Sequence, residues 1–112
     1  MNLDKVLQQF EKEAALHAYY NERSEFKQGN VHADAVIEAA NFLKSIDSLS
    51  RLEKFLDSDI LGVKRWAAGY LLTLHNPKAI DVLQDIIALD IPYHSFNSKM
   101  LLLEWRQGNL KL

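Results

Sequence analysis

The sequence predicts an all-α fold of about six helices in stacked antiparallel pairs. Apolar residues recur at spacings of three and four along most of the chain, which places them on one face of successive helices. No stretch alternates apolar and polar residues as a half-buried strand does, and clusters of Val, Ile and Thr between turn residues are missing. A chain of 112 residues, 48% hydrophobic and 25% charged, is expected to form one globular domain, residues 1–112.

The N-terminal part of the chain is expected to contain two helices separated by a polar loop. The first runs from residue 3 to about residue 21, and the second from Asn30 or His32 to about Ile46. Between them, the sequence NERSEFKQGN has the polar composition of a loop. The expected inward-facing residues are Leu3, Val6, Leu7, Phe10, Ala14 and His17 or Ala18 in the first helix, and Val36, Ala39, Ala40, Phe42, Leu43 and Ile46 in the second.

The third and fourth helices are each expected to begin after a polar capping residue. Asp47 or Ser48 precedes the short third helix, LSRLEKFL. Asp59 is expected to cap the fourth, because its carboxylate can accept hydrogen bonds from the free N–H groups of the first turn. The expected buried residues are Leu49, Leu52, Phe55 and Leu56 in the third helix, and Val63, Trp66, Ala67, Tyr70, Leu71 and Leu74 in the fourth.

Proline and glycine mark the ends of the last two helices. Pro77 suits the first position of the fifth helix, because it has no N–H to lose and its φ is already helical. Pro92 stops that helix. The sixth is expected from about Asn97 to Gln107, with Gly108 placed to end it. Expected buried residues are Ile80, Leu83, Ile86 and Ile87, then Met100, Leu101, Leu103 and Trp105.

The chain contains an internal repeat of 28 positions that aligns the second and third helices with the fourth and fifth. A two-helix unit of this kind cannot bury its own apolar face and does so against a neighbouring unit. The shift places Ala39-Ala40 on Ala67-Ala68, Phe42-Leu43 on Tyr70-Leu71, Ile46 on Leu74, Leu52 on Ile80, and Phe55 on Leu83.

The second copy of the repeat carries a recognisable set of residues: Asp59, Val63-Lys64, Ala67-Ala68, Leu71-Leu72, Leu74, Pro77, Ala79, Leu83 and Ile86. This set resembles a short HEAT-type repeat of the phycobilisome-lyase-like superfamily. Lys64 stands where arginine is usual, and Trp66 before the paired alanines is also a departure. The resemblance implies a minimal α-solenoid whose second helices line a concave binding surface.

The C-terminal sequence LLLEWRQGNLKL, together with FLDSD, VKRWAA and YLL, carries a second resemblance. It is similar to a small bacterial family of single-domain HEAT-like proteins of unknown function. Proximity of some members to polymorphic toxin genes would imply a role as immunity proteins. The family has no assigned activity to carry onto particular residues.

Composition excludes several function classes. The chain has no cysteine, so disulfides, thiolate nucleophiles and cysteine-ligated zinc are impossible. A net charge of −2 argues against a dedicated nucleic-acid binder. No apolar run reaches the roughly 18 residues of a membrane span, and the N-terminus lacks a signal-peptide pattern. We therefore expect a cytoplasmic protein without a membrane or nucleic-acid partner.

No residue pattern predicts an active site, and we expect no enzyme activity and no cofactor. The four histidines show no metal-site spacing; they are His17, His32, His75 and His94. Asp34, two residues after His32, could be a second metal ligand, but a helix-capping role explains it equally well. His75 is expected to interact with the end of the fourth helix, which favours cations. Glycine-rich phosphate loops and nucleophile motifs are missing. The sequence therefore predicts no catalytic, cofactor-binding or metal-ligating residue.

The best candidate for function is the outer side of the third and fifth helices. Asp81 and Asp85 are like charges one helical turn apart, an unfavourable spacing that suggests an acidic patch for a basic partner, although an ordinary solvated face explains it too. The candidate partner-binding residues are Glu53, Asp57, Asp81, Gln84 and Asp85.

These features favour a non-catalytic protein–protein binding module, monomeric or homodimeric, whose sharpest form is an immunity-type protein that blocks a toxin domain. The alternative is a small enzyme or nucleic-acid-processing domain with an unrecognised site, for which Lys64-Arg65-Trp66 is the nearest signal. A structural homo-oligomer subunit would expose Phe26, Tyr93 or Phe96 in one apolar patch.

Overall fold

The computed structural model describes residues 2–112, in which it contains six helices and no strand. The all-α prediction is therefore confirmed. None of the described helices has both the length and the apolar character needed to cross a membrane. The backbone divides after Leu52 into two compact units, and the assignment of one domain stays a prediction. The helices are α1 (Leu3–Glu22), α2 (Phe26–Ser45), a 3₁₀ helix (Leu49–Asp57), α3 (Leu61–Leu72), α4 (Pro77–Ala88) and α5 (His94–Arg106).

In the first unit, α1 and α2 pack against each other and are joined by a short turn, so the predicted ten-residue loop is wrong. Ser24 takes the left-handed conformation, with φ of 58°, that ends α1. The Glu25 N–H donates to the Tyr20 carbonyl at 2.9 Å and the Ser24 N–H to the Asn21 carbonyl at 3.0 Å, the two bonds of a Schellman motif. A serine therefore provides the left-handed residue of the turn between the two helices.

Gly29 lies buried inside α2, and its lack of a side chain allows close packing beside the turn. A Cβ added there would lie 2.2 Å from the Asn21 Oδ1 atom of α1. The Asn21 amide is in turn hydrogen-bonded to the His17 ring, with Nδ2 and Nε2 2.7 Å apart. The polar residues around Gly29 are exposed, so their polarity reflects the outer side of a helix and not a loop.

The inner faces predicted for α1 and α2 are largely confirmed. Leu3 and Phe42 are half-buried, and Ile46 is exposed. The Gln9 side-chain amide also donates to the Ala35 carbonyl at 3.0 Å, which joins the two helices through a polar contact. The buried residues are Val6, Leu7, Phe10, Ala14, His17 and Ala18 in α1, and Gly29, Val36, Ala39, Ala40 and Leu43 in α2.

The predicted third helix exists, but it is a 3₁₀ helix. Leu49, Leu52 and Phe55 recur every three residues, which matches the three residues per turn of this helix, and all three are buried. Neither expected cap acts as one: Asp47 is left-handed, with φ of 53°, and the Ser48 hydroxyl donates to the Ile46 carbonyl.

In the second unit, the predicted start of α4 at Pro77 is confirmed, and the predicted cap of α3, Asp59, is wrong. Asn76 accepts hydrogen bonds from the N–H groups of Lys78 and Ala79 at 2.9 and 3.4 Å, and Pro77 is the first helical residue. By contrast, Ile60 precedes α3 without a side-chain cap, so Asp59 does not serve as its N-cap.

The last helix, α5, begins at His94, earlier than predicted, and ends as predicted at Gly108. The Gly108 φ is 75°, and the N–H groups of Gly108 and Asn109 donate to the carbonyls of Trp105 and Glu104, which completes a Schellman motif. The buried side of α5 differs from the prediction. Leu102 is buried and Leu103 is exposed, while Met100, Leu101 and Trp105 are half-buried.

Equivalent positions of the 28-residue repeat share several local features. The paired alanines of α2 and α3 are all buried. Ile46 and Leu74, predicted to face inward, are 44% and 48% exposed. Each is followed by a left-handed residue, Asp47 and His75, with φ of 53° and 57°. The chain turns away from the helical path at both positions, so neither side chain continues the buried face.

Candidate functional site

The predicted acidic residues of α4 lie on its exposed side. Asp81, Gln84 and Asp85 are exposed, whereas Ala79, Leu83 and Ile86 are buried on the other side of the helix. Among residues 2–112, no cation forms an ion pair with Asp81 or Asp85. The two carboxylates are therefore exposed and free of ion pairs within residues 2–112, which leaves them available to a partner.

The two remaining candidates, Glu53 and Asp57, belong to the 3₁₀ helix. Glu53 accepts a hydrogen bond from the Asn76 amide at 2.9 Å, and one of its oxygens lies 3.9 Å from the Lys78 ammonium. Glu53 therefore contacts the start of α4 and has a structural role there. Asp57 is exposed and forms no ion pair within residues 2–112, so the structure groups only Asp81, Gln84 and Asp85 on one helix face.

The most unusual polar residue of the second unit is Arg65, which the sequence indicated only as part of the nucleic-acid signal Lys64-Arg65-Trp66. Arg65 is only 7% exposed, although arginine is seldom buried without a partner. Its single hydrogen bond is from Nη2 to the Tyr93 hydroxyl, at 3.4 Å, and its Nε has no acceptor. No carboxylate in residues 2–112 pairs with it. Burial lowers the pKa of Arg65, and the interactions with Tyr93 oppose that effect.

Aromatic rings supply much of the surroundings of this guanidinium. Its central carbon lies 5.2 Å from the centroid of the Tyr93 ring and 5.9 Å from that of Trp66. Both distances allow a cation–π attraction. This attraction lowers the cost of burying the charge but supplies no oxygen acceptor for the buried Nε–H group.

A strained turn holds Tyr93 in place. Its φ of 74° and ψ of −58° belong to the uncommon γ-turn with positive φ, and the His94 N–H donates to the Pro92 carbonyl at 2.9 Å across it. Ser95 braces the same connection, because its hydroxyl accepts from the Ile91 N–H and donates to the Ile86 carbonyl, both at 2.7 Å. Strain of this kind persists only where surrounding contacts enforce it.

Arg65 also lines a partly enclosed cavity of about 150 Å³. The other lining residues are Trp66, Gly69, Leu101 and Leu112, which are apolar. A Cβ added at Gly69 would lie 3.5 Å from the nearest methyl carbons of Leu101 and Leu112, which is an ordinary van der Waals contact. The arrangement joins one buried cation to an apolar volume.

The histidines do not form a metal site. Within the described chain, no group of three or more His, Asp and Glu side chains could hold a metal ion. His32 lies inside α2, where it bonds the Glu13 carboxylate and stacks on Tyr20 with ring centroids 5.3 Å apart. Its neighbour Asp34 is exposed and takes no part in that contact.

Burial also bears on the two remaining sequence signals, which are the basic pair Lys64-Arg65 and the suggested apolar patch. Because Arg65 is buried, only Lys64 of the basic pair is partly exposed and could contact a nucleic-acid backbone. Of the residues suggested for an apolar patch, Phe26 and Phe96 are exposed but Tyr93 is half-buried.

One sequence signal could have revealed Arg65. α3 contains two glycines, two alanines and few polar residues, and it is buried on nearly every side. A helix that is apolar all round is a central one, so a charged residue within it should be buried too.

No protein-family model, no curated protein and no solved structure matches this chain. The resemblance to HEAT-type repeats and to the bacterial single-domain family therefore stays a prediction.

Proposed function

We propose that this protein is a non-catalytic protein-binding module that uses the exposed face of α4 to bind a basic partner. The most specific version of this proposal is an immunity-type protein that acts in the cytoplasm and occludes a toxin domain. The observation that carries this proposal is the exposed pair Asp81 and Asp85, one turn apart and without an internal cation. A basic surface would relieve the repulsion between them.

The α4 face is well suited to binding because the helix is held at both ends. Asn76 caps its first turn, and the Ser95 hydroxyl accepts and donates hydrogen bonds just beyond its last turn. Leu83 and Ile86 anchor its inner side in the core. A surface fixed in this way loses little conformational entropy when a partner binds.

Electrostatic attraction is expected to contribute mainly to the rate of association. Carboxylates on an exposed helix steer a basic partner from a distance, and salt screens that effect. Gln84, between the two acids, can donate and accept hydrogen bonds at the contact. Leu89, which follows Asp85 by one turn and is 57% exposed, adds an apolar contact to the same side of the helix.

The test is capture of a partner from the native host, followed by binding measurements with the purified partner. Asp81→Lys/Asp85→Lys should weaken binding by at least roughly tenfold, which corresponds to about 1.4 kcal/mol. Asp34→Lys/Glu38→Lys is the matched control, because it reverses two exposed acids of the same spacing on α2.

The proposal is supported if binding depends on salt, is lost in the α4 variant and is retained in the α2 control. Equal affinity of the wild type and the α4 variant would show that the face is wrong. Failure to retain any protein would count against a binding function and favour the alternative, a small enzyme or nucleic-acid-processing domain. Circular dichroism of each variant verifies that the helices are intact.

A further inference from the structure

Arg65 has a bonding requirement that the protein itself does not meet. Its guanidinium carries five N–H donors, of which only one makes a hydrogen bond, and that bond is long at 3.4 Å. The Nε atom is buried without an acceptor. Leaving a charged donor buried and unsatisfied costs more free energy than leaving a neutral one. An anionic ligand beside the guanidinium would compensate the buried charge and recover part of that free energy on binding.

The cavity beside Arg65 has the size and polarity of a site for a small organic group. Its volume of about 150 Å³ equals that of engineered apolar cavities that hold benzene. Trp66 and Leu101 provide apolar walls, and the missing side chain of Gly69 leaves the space between them open. Leu112 lines the same cavity.

We propose that this cavity binds a small monocarboxylate, whose carboxylate accepts hydrogen bonds from Arg65 and whose apolar part, about the size of a benzene ring, lies between Trp66 and Leu101. This binding site goes beyond the proposed protein-binding function and does not depend on it. All the residues involved belong to the second unit.

The chemistry of the site selects a monocarboxylate among anions. The two oxygens of a carboxylate can accept from two guanidinium N–H groups at once, which a single carbonyl or hydroxyl oxygen cannot do as well. A phosphate dianion would bring a second negative charge into a cavity with only one lining cation and otherwise apolar walls. A neutral apolar molecule would fill the volume but leave the buried charge of Arg65 without an anion.

The first experiment uses the full chain with benzoate as the probe and benzamide as its neutral counterpart. Binding is followed by the amide resonance of Gly69 and the indole resonance of Trp66 in NMR titrations. We expect saturable shifts with benzoate and at least roughly tenfold weaker binding of benzamide, because only benzoate compensates the buried charge. Equal affinities of the two probes would overturn the proposal.

Two variants test separately how the cavity volume and the Arg65 charge contribute to benzoate binding. In Gly69→Val, the Cβ fits at ordinary contact distance and the two methyl groups occupy the cavity, so benzoate affinity should fall at least tenfold with the helices intact. Arg65→Met removes the charge and should abolish the preference for benzoate over benzamide. The matched control is Ala88→Val on the exposed side of α4, which should bind benzoate as the wild type does.

The cavity variant keeps the test decisive even if Arg65→Met does not fold. Unchanged benzoate binding by Gly69→Val would place the ligand elsewhere and refute the proposal. Loss of binding in Ala88→Val would show that the effect is not specific to the cavity and would refute it equally. Neither result bears on Asp81 and Asp85, so this proposal and the protein-binding proposal fail independently.

Discussion

Replacing Gly29 with alanine should destabilise this protein, although the same change in a helix normally stabilises. Gly29 lies in the interior of α2, where alanine is intrinsically better by about 1 kcal/mol. The new Cβ, however, would lie 2.2 Å from Asn21 Oδ1 and 3.0 Å from Asn21 Cγ. The Asn21 amide must move away, and it cannot do so without disturbing its 2.7 Å hydrogen bond to His17.

The size of the effect follows from these opposing terms. Displacing the Asn21 amide breaks its hydrogen bond to the mostly buried His17 ring, which costs roughly 2–3 kcal/mol. After subtraction of the gain in helix propensity, we expect the free energy of unfolding to fall by roughly 1–2 kcal/mol. In a domain of about this length, that corresponds to a Tm lower by roughly 5–10 °C.

Gly69→Ala is the matched control. Gly69 is also a buried helical glycine, but a Cβ there meets its neighbours at 3.5 Å, an ordinary contact. This variant should be more stable than the wild type by about 0.5–1 kcal/mol. Opposite signs for the two glycines would show that local packing, and not helix propensity, decides the outcome.

The assay is urea denaturation followed by circular dichroism, with a double-mutant cycle through Asn21→Ala. Removing the Asn21 amide removes the clash, so Gly29→Ala should become stabilising in that background. The coupling energy between the two sites should be roughly 2 kcal/mol. A Gly29→Ala protein that is as stable as the wild type, or a coupling energy near zero, would refute the close packing inferred for this turn.

Three further changes test other contacts. Asn76→Ala should lower the free energy of unfolding by about 1–2 kcal/mol, because two N–H groups of the first α4 turn lose their acceptor; unchanged stability in urea would contradict the cap. Asp47→Gly should raise the free energy of unfolding by about 1 kcal/mol, and with it the Tm, because glycine adopts the left-handed conformation without strain; a lower Tm would contradict this. Burial raises the pKa of Tyr70 to about 12 from 10.0, so the unfolded chain loses its phenol proton first as pH rises. Stability should therefore fall between pH 10 and 12 by roughly 1–3 kcal/mol, and denaturation of Tyr70→Phe across that range should lack this part of the loss.

The two proposed sites would use opposite electrostatics in the same unit of the chain. Asp81 and Asp85 are exposed acids that act through water and salt, so their contribution to binding should weaken as ionic strength rises. Arg65 is a buried cation, and its interaction with a carboxylate should be much less sensitive to salt. Salt dependence is therefore a direct way to tell binding at one site from binding at the other.

Local sequence determined the helical character of the chain and several of its boundaries. Asn76-Pro77 starts α4 and Gly108 ends α5, because a capping side chain or a residue at positive φ acts on the backbone within a few positions of itself. The apolar spacing of α1 correctly predicted its buried face for the same reason. The exposed acids of α4 also followed from periodicity, since they lie opposite Leu83.

Tertiary packing decided the features that depend on residues distant in sequence. Gly29 belongs to a helix and not to a loop, because Asn21 of the neighbouring helix occupies the space that a side chain would need. Leu102 faces inward in place of Leu103, because the contacts of α5 with α3 and α4 set its rotation. Arg65 is buried without a carboxylate partner in residues 2–112 and lines a mostly apolar cavity. No local pattern encodes that arrangement, since the burial of a charge is set by the elements that surround it.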